Sequence, residues 1–100
     1  MDNPSGIQTE IEAFFNIRSL NSIGESNAIL ARYIWVELNK DLPEKEIIKG
    51  SGYKTVASIY HAKEKFKELY KYDTKFKSAA DSLLTILKNK KLVPDHFNYK

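Results

Sequence analysis

Apolar residues recur at helical spacing along nearly the whole chain, and this periodicity constrains the fold more than any other feature. In the first segment, for example, Ile7, Ile11, Phe14 and Phe15 fall at i, i+4, i+7 and i+8. The spacing predicts helices over residues 6–17, 27–39, 43–49, 54–70 and 74–89, and no strand. Because 100 residues suffice for one modest core, we expect a single all-α, five-helix bundle.

The same spacing predicts which side chains are buried. The predicted core consists of Ile11, Phe14, Leu30, Ile34, Leu38, Ile47, Ile59, Phe66, Leu83 and Leu87. On the fourth helix, Val56 and Tyr60 are also expected to face the bundle. The last ten residues, KLVPDHFNYK, contain a proline and no clear period. We therefore expect residues 1–90 to form the domain and residues 91–100 to form a flexible tail.

Two residues are expected to begin helices. Thr55, or Lys54 before it, marks the start of the fourth helix, and Asp73 can cap the fifth helix with its carboxylate. Between the third and fourth helices, Gly50 and Gly52 are expected to end the third helix, because glycine adopts a positive φ at little cost.

Positive charge collects in the second half of the chain. Residues 1–45 contain four Lys and Arg against seven Asp and Glu, which gives −3, whereas residues 46–100 contain twelve against six, which gives +6. This asymmetry indicates a basic face that suits a polyanion. A solvated, lysine-rich helix surface would produce the same counts.

Several classes of function have no support in the sequence. The chain contains no cysteine, and its two histidines, His61 and His96, have no metal-site spacing. It also lacks a nucleophile motif, so we expect no enzyme activity, metal, cofactor or small-molecule substrate. No apolar run approaches the roughly 18 residues that a membrane span needs. The first residues lack a signal-peptide pattern, and a cytoplasmic protein without membrane association is expected.

The stretch GSGYKTVASIYHAKEKF (residues 50–66) is open to three interpretations. It could cradle a phosphate, form the turn and second helix of a DNA-reading motif, or simply connect two core helices. The phosphate-loop interpretation is the weakest, since the glycine spacing and the Gly-Lys-Ser/Thr ending of a P-loop are missing. A short helix, a tight turn and a longer helix are the outline of a helix-turn-helix.

The predicted DNA-contact face combines polar residues of one side of the fourth helix with their neighbours in the turn. Its members are Ser51, Lys54, Thr55, Ser58, His61 and Lys65. Hydroxyl groups can reach base edges or phosphates, and lysines neutralise phosphates. A protonated His61 would add a phosphate contact. The alternative is an ordinary amphipathic helix with a solvated polar side, in which His61 is a partly buried packing residue.

Several short motifs, in the right order, resemble the C-terminal DNA-binding domain of the bacterial replication initiator DnaA, a Trp-repressor-like helix-turn-helix. IQTEIEAFFNI resembles the first helix of that domain, and ILARYIWVELNKDLPEKEI its second helix and the start of the helix-turn-helix. SIYHAKEKF resembles the recognition helix, including the His-Ala at His61 and Ala62. The resemblance covers roughly residues 7–87 and implies a helix-turn-helix fold with a duplex-facing surface.

The chain also departs from that family. The family has an arginine-rich loop between its first two helices that enters the minor groove, and here this loop is shorter, with Arg18 as its only positive charge. The family begins its recognition helix with Arg-Asp-His-Thr-Thr. Aligned on His61, the corresponding residues here are Lys54, Thr55, Val56, Ala57 and Ser58. The resemblance therefore does not imply the initiator's target sequence.

The sequence predicts a small protein that binds double-stranded DNA, with an accessory or regulatory role in replication or transcription. The Lys/Asn/Ile-rich composition and the lack of an ATPase part suggest a phage or mobile-element origin. The alternative is a protein-interaction module that kept the fold and lost specific DNA binding, which the sparse basic loop and the acidic first half favour. A structural or virion role has no positive support in the sequence.

Overall fold

The computed structural model describes residues 4–20, 26–51 and 53–99, and this part of the chain is helical and contains no strand. Its five helices are α1 (Pro4–Phe15), α2 (Ser26–Leu38), α3 (Glu44–Ser51), α4 (Val56–Tyr72) and α5 (Thr74–Asn89). The radius of gyration, 12.3 Å, is close to the roughly 13 Å of a compact 100-residue domain. The predicted all-α, five-helix fold is confirmed.

Two side-chain caps define where α4 and α5 begin. Thr55 Oγ1 accepts a hydrogen bond from the Ser58 backbone N–H at 3.2 Å, and Asp73 Oδ1 accepts one from the Phe76 N–H at 3.0 Å. The Asp73 N–H also donates to the Leu69 carbonyl at 2.8 Å, so Asp73 ends α4 and begins α5. The Asp73 cap was predicted, and the fourth helix was predicted to start near Lys54 or Thr55; both side chains satisfy N–H groups that a helix leaves unpaired.

The core forms around α2, which packs against α1, α3 and α4. Eight of the predicted core residues are buried: Ile11, Ile34, Leu38, Ile47, Ile59, Phe66, Leu83 and Leu87. Leu30 is only partly buried, and Phe14 is 37% exposed. The prediction for Phe14 was wrong because α1 ends at Phe15 and Asn16 adopts a φ of 55°, after which Ile17 and Leu20 turn back into the core.

The buried face of α4 differs from the prediction. Ile59, Ala62 and Phe66 are buried, whereas Val56 and Tyr60 are 38% and 55% exposed. The prediction that Val56 and Tyr60 face the bundle was therefore wrong. Both are offset from the row that residues 59, 62 and 66 form at i, i+3 and i+7, so they lie at the border of the helix's exposed side.

Helix α3 does not end at Gly50, contrary to the prediction. It continues through Gly50 to Ser51, and four residues, 52–55, connect it to α4. Gly52 lies outside the described residues. Gly50 is a helical residue, and the reason for glycine at this position is its contact with α2 rather than a turn conformation.

The final segment has no regular secondary structure, yet two of its side chains join the core. Val93 is 4% exposed and Tyr99 is 7% exposed. The Tyr99 ring lies 4.9 Å from the Phe66 ring centroid and 5.4 Å from that of Tyr70, and its hydroxyl donates to the Ala80 carbonyl at 2.8 Å. Residues 93–99 thus pack against both α4 and α5 through Tyr99, instead of extending away from the domain as a flexible tail would.

Candidate nucleic-acid interface

The first two turns of α4 and the residue before its cap form an exposed surface without a carboxylate of their own. Lys54, Thr55, Ala57 and His61 are exposed, and the first acidic residue of α4 is Glu64. The N-terminal end of a helix carries a partial positive charge, and Lys54 adds a full one. The electrostatic character of this surface suits an anionic ligand.

Two of the three hydroxyl groups predicted to contact DNA, those of Thr55 and Ser58, interact with each other. Thr55 Oγ1 and Ser58 Oγ are 3.0 Å apart, and Thr55 Oγ1 also accepts the Ser58 N–H. Ser58 is half-buried. The first role of Thr55 is therefore to cap α4, and one of its lone pairs is already used by that cap.

Two other predicted contact residues are less accessible than the sequence suggested. Ser51 is fully buried, and its Oγ accepts a hydrogen bond from the Tyr53 N–H at 3.2 Å. Its side chain stabilises the turn and lies too deep to contact a duplex. Lys65 is half-buried, and its Nζ lies 3.3 Å from Glu68 Oε1, so part of its charge is compensated.

Tyr60 and Glu44 form a contact between α3 and α4 that the sequence did not suggest. The Tyr60 hydroxyl donates to Glu44 Oε2 at 2.9 Å, and this hydrogen bond raises the pKa of Tyr60 above its usual value. Lys63 Nζ lies 5.7 Å from the centroid of the Tyr60 ring. These three groups place one negative and one positive charge beside the exposed start of α4. Helical periodicity alone could not reveal this pair, since the two residues are sixteen positions apart.

The loop after α1 holds Arg18 at the surface. Ile17 is 9% exposed and Leu20 is fully buried, so the chain is fixed on both sides of Arg18, which is exposed. The Leu20 N–H donates to Glu12 Oε2 at 3.0 Å, which attaches the loop to α1. The backbone of Arg18 is therefore held between two buried residues, while its side chain is exposed.

Arg32 of α2 contacts both this loop and the turn before α4. Its Nη1 donates to the Leu20 carbonyl, and its Cζ lies 5.8 Å from the Tyr53 ring centroid. Burial raises the pKa of Tyr53, and a hydrogen bond from Arg32 opposes that effect. The loop that contains Arg18 and the turn that contains Lys54 therefore both lie beside Arg32 of α2.

In the described ranges, no group of three or more His, Asp or Glu side chains is arranged to hold a metal ion. None of the helices described is both long enough and apolar enough to cross a membrane. Comparisons with protein-family models, curated proteins and solved structures found no match to this chain.

Proposed function

We propose that this protein binds double-stranded DNA through a helix-turn-helix formed by α3, residues 52–55 and α4, in an accessory or regulatory role in replication or transcription. The observation that carries the proposal is the exposed start of α4, where Lys54, Thr55 and His61 lie and where α4 itself has no acidic residue before Glu64. The resemblance of short motifs to the DnaA C-terminal domain supports the same assignment. The protein would then act in the cytoplasm, on duplex DNA.

Each contact residue has a distinct expected role. Lys54 neutralises a backbone phosphate, and His61, one to two turns into α4, reaches the groove with a ring nitrogen. Arg18 adds a second positive charge from the loop after α1. Ser58 and Lys65 contribute at the edge of the interface, since both are half-buried. Because phosphate contacts dominate this set, we expect modest sequence preference and strong salt dependence.

A salt titration on a random-sequence duplex tests this proposal. The logarithm of the binding constant should fall linearly with the logarithm of the salt concentration, with a slope of about −0.9 for each phosphate neutralised. Fluorescence anisotropy of a labelled duplex measures this slope. Binding that is absent at low salt would overturn the proposal.

Matched lysine variants locate the interface. Lys54→Ala should reduce the slope by about one. Lys75→Ala removes the same charge from an exposed position at the start of α5 and is the matched control, with a smaller expected effect on the slope. The seventeen residues of α4 span about 25 Å, which separates Lys75 from the start of α4. Equal effects of the two variants would show that only net charge matters.

A protein-binding role is the second candidate, and the exposed apolar groups at the start of α4 favour it. Val56 and Tyr60 are 38% and 55% exposed and border the same surface. Aromatic residues are enriched at protein interfaces, and a duplex contact needs neither side chain. If the wild-type protein binds no duplex at low salt, this surface is assigned to a protein partner instead.

A further inference from the structure

We infer that Arg32 is a positioning residue for the DNA-contact surface, which couples the loop after α1 to the turn before α4. The inference rests on the proposed function for its DNA-binding consequence, and on the contacts of Arg32 for the coupling itself. Its guanidinium contacts the Leu20 carbonyl on one side and the Tyr53 ring on the other. Arg32 thus joins the segment that carries Arg18 to the segment that carries Lys54, in addition to the local contacts that hold each segment.

On the loop side, Leu20 is held at both of its backbone polar groups. Its N–H donates to Glu12 of α1, and its carbonyl accepts from Arg32 of α2. Its side chain is fully buried. Arg18 is two residues away, and two residues of extended chain span at most about 7 Å. The location of the Arg18 backbone is therefore tied to the position of Leu20.

On the turn side, Tyr53 is half-buried and fixed at its backbone. Its N–H donates to the buried Ser51 hydroxyl at 3.2 Å, and its ring lies beside the Arg32 guanidinium. Lys54 follows directly, with consecutive Cα atoms about 3.8 Å apart. A contact that fixes the position of Tyr53 therefore also limits the position of the Lys54 backbone, one peptide unit away.

The chemistry of both contacts requires arginine rather than lysine. A guanidinium presents five N–H donors in a planar fork and can hydrogen-bond a carbonyl while it lies beside an aromatic ring. A lysine ammonium concentrates its donors on one nitrogen, so it cannot hold both partners in the same geometry. Arg32→Lys keeps the charge and the apolar stem but loses this dual contact.

A double-mutant cycle measures the coupling through DNA binding. Salt slopes on a random-sequence duplex are compared for the wild type, Arg18→Ala, Arg32→Met and the double variant. Arg18→Ala should reduce the slope by about one in the wild-type background and leave it unchanged in the Arg32→Met background. If Arg18→Ala reduces the slope equally in both backgrounds, Arg32 does not position Arg18 and the inference is overturned.

Amide hydrogen exchange tests the coupling without DNA. Arg32→Met should accelerate exchange at the Leu20 and Tyr53 amides together, because one side chain restrains both segments. Acceleration at only one of the two amides would overturn the inference, even if DNA binding is intact. A wild-type protein that binds no duplex would overturn the proposed function alone, since the exchange result is independent of DNA.

The conservative variant covers the case in which Arg32→Met does not fold, as judged by its circular dichroism. In Arg32→Lys, the Arg18→Ala effect on the salt slope should be reduced and exchange at Tyr53 accelerated. An Arg32→Lys protein in which both quantities match the wild type would show that charge alone suffices at this position, which also overturns the inference.

Discussion

Gly50 of α3 lies directly against the indole ring of Trp35 of α2. A Cβ atom at Gly50 would be 2.4 Å from Trp35 Cη2 and 2.6 Å from Cζ2, well inside van der Waals contact. Trp35 is 1% exposed, so the ring cannot move away without displacing other core residues. This close approach sets how tightly the first helix of the proposed helix-turn-helix packs against the central helix.

Gly50→Ala should destabilise the protein by about 1–3 kcal/mol, the usual cost of overpacking a core. The sign of this change in stability is informative, because replacing a helical glycine by alanine without a clash stabilises the protein by about 0.5–1 kcal/mol. Urea denaturation measures the difference. In a Trp35→Phe background the ring is smaller, and most of the penalty should disappear. A more stable Gly50→Ala protein would contradict the contact.

Thr55→Ala should cost about 1 kcal/mol of stability, because the Ser58 N–H loses its capping partner. Thr55→Ser keeps the hydroxyl and should be close to neutral. Lys54→Ala, at the neighbouring exposed position, should change stability by less than about 0.5 kcal/mol. Thermal unfolding of the three variants checks the order, and equal stability of Thr55→Ala and Thr55→Ser would contradict the cap.

The sequence predicted best those features that depend on neighbours three or four positions away. Apolar periodicity identified all five helices, and the N-cap Asp73 was recognisable because its side chain bonds an N–H three residues further along. The start of α4 was predicted at Lys54 or Thr55, and the structure assigns the cap to Thr55. The exposure of Val56 and Tyr60 was not predicted, because helical spacing alone was ambiguous in the first turns of α4. Several apolar side chains occur in the first turns of α4, and periodicity does not say which of two overlapping rows faces α2.

Features that depend on distant partners could not be predicted in the same way. Arg32 contacts two segments twelve and twenty-one positions away, and nothing in its local sequence indicates either partner. Tyr99 follows a proline-containing stretch without a period, yet it bonds Ala80 and packs on Phe66. Ser51 looked like an exposed turn residue, but the extension of α3 through Gly50 places its side chain in the interior.

Tyr99→Phe should cost about 1 kcal/mol at neutral pH, because the hydrogen bond to the Ala80 carbonyl is lost while the ring still packs on Phe66. The variant should also change the response to alkali. Burial is the main reason that the pKa of Tyr99 lies well above its ordinary value of 10.0. Above about pH 10 the unfolded chain therefore loses a proton that the folded protein retains.

Wild-type stability should consequently fall as the pH rises above about 10, and Tyr99 alone contributes a slope of up to about 1.4 kcal/mol per pH unit. Tyr99→Phe lacks this contribution and should lose less stability between pH 10 and 11. Tyr72→Phe, which alters a tyrosine that is 74% exposed, serves as the matched control and should keep the wild-type slope. Identical slopes for all three proteins would contradict the burial of Tyr99.

Glu44→Gln should raise the affinity for a random-sequence duplex several-fold at low salt. The Glu44 carboxylate accepts the Tyr60 hydroxyl at 2.9 Å and places a negative charge beside the proposed contact surface, where it repels phosphates. Glutamine retains an oxygen that can accept the same hydrogen bond, so the geometry is kept and only the charge is removed. The pKa of Tyr60 should move back toward its ordinary value, because Glu44 is what raises it.

The gain in duplex affinity from Glu44→Gln should shrink as salt is added, since the electrostatic screening length falls from about 30 Å at 0.01 M salt to about 8 Å at 0.15 M. Asp95→Asn removes the same charge from an exposed side chain in the final segment and is the matched control. Anisotropy titrations of both variants at two salt concentrations separate a local effect from a change in net charge. Equal gains would place the DNA away from Glu44, and weaker binding by Glu44→Gln alone would mean that the carboxylate contacts the ligand directly.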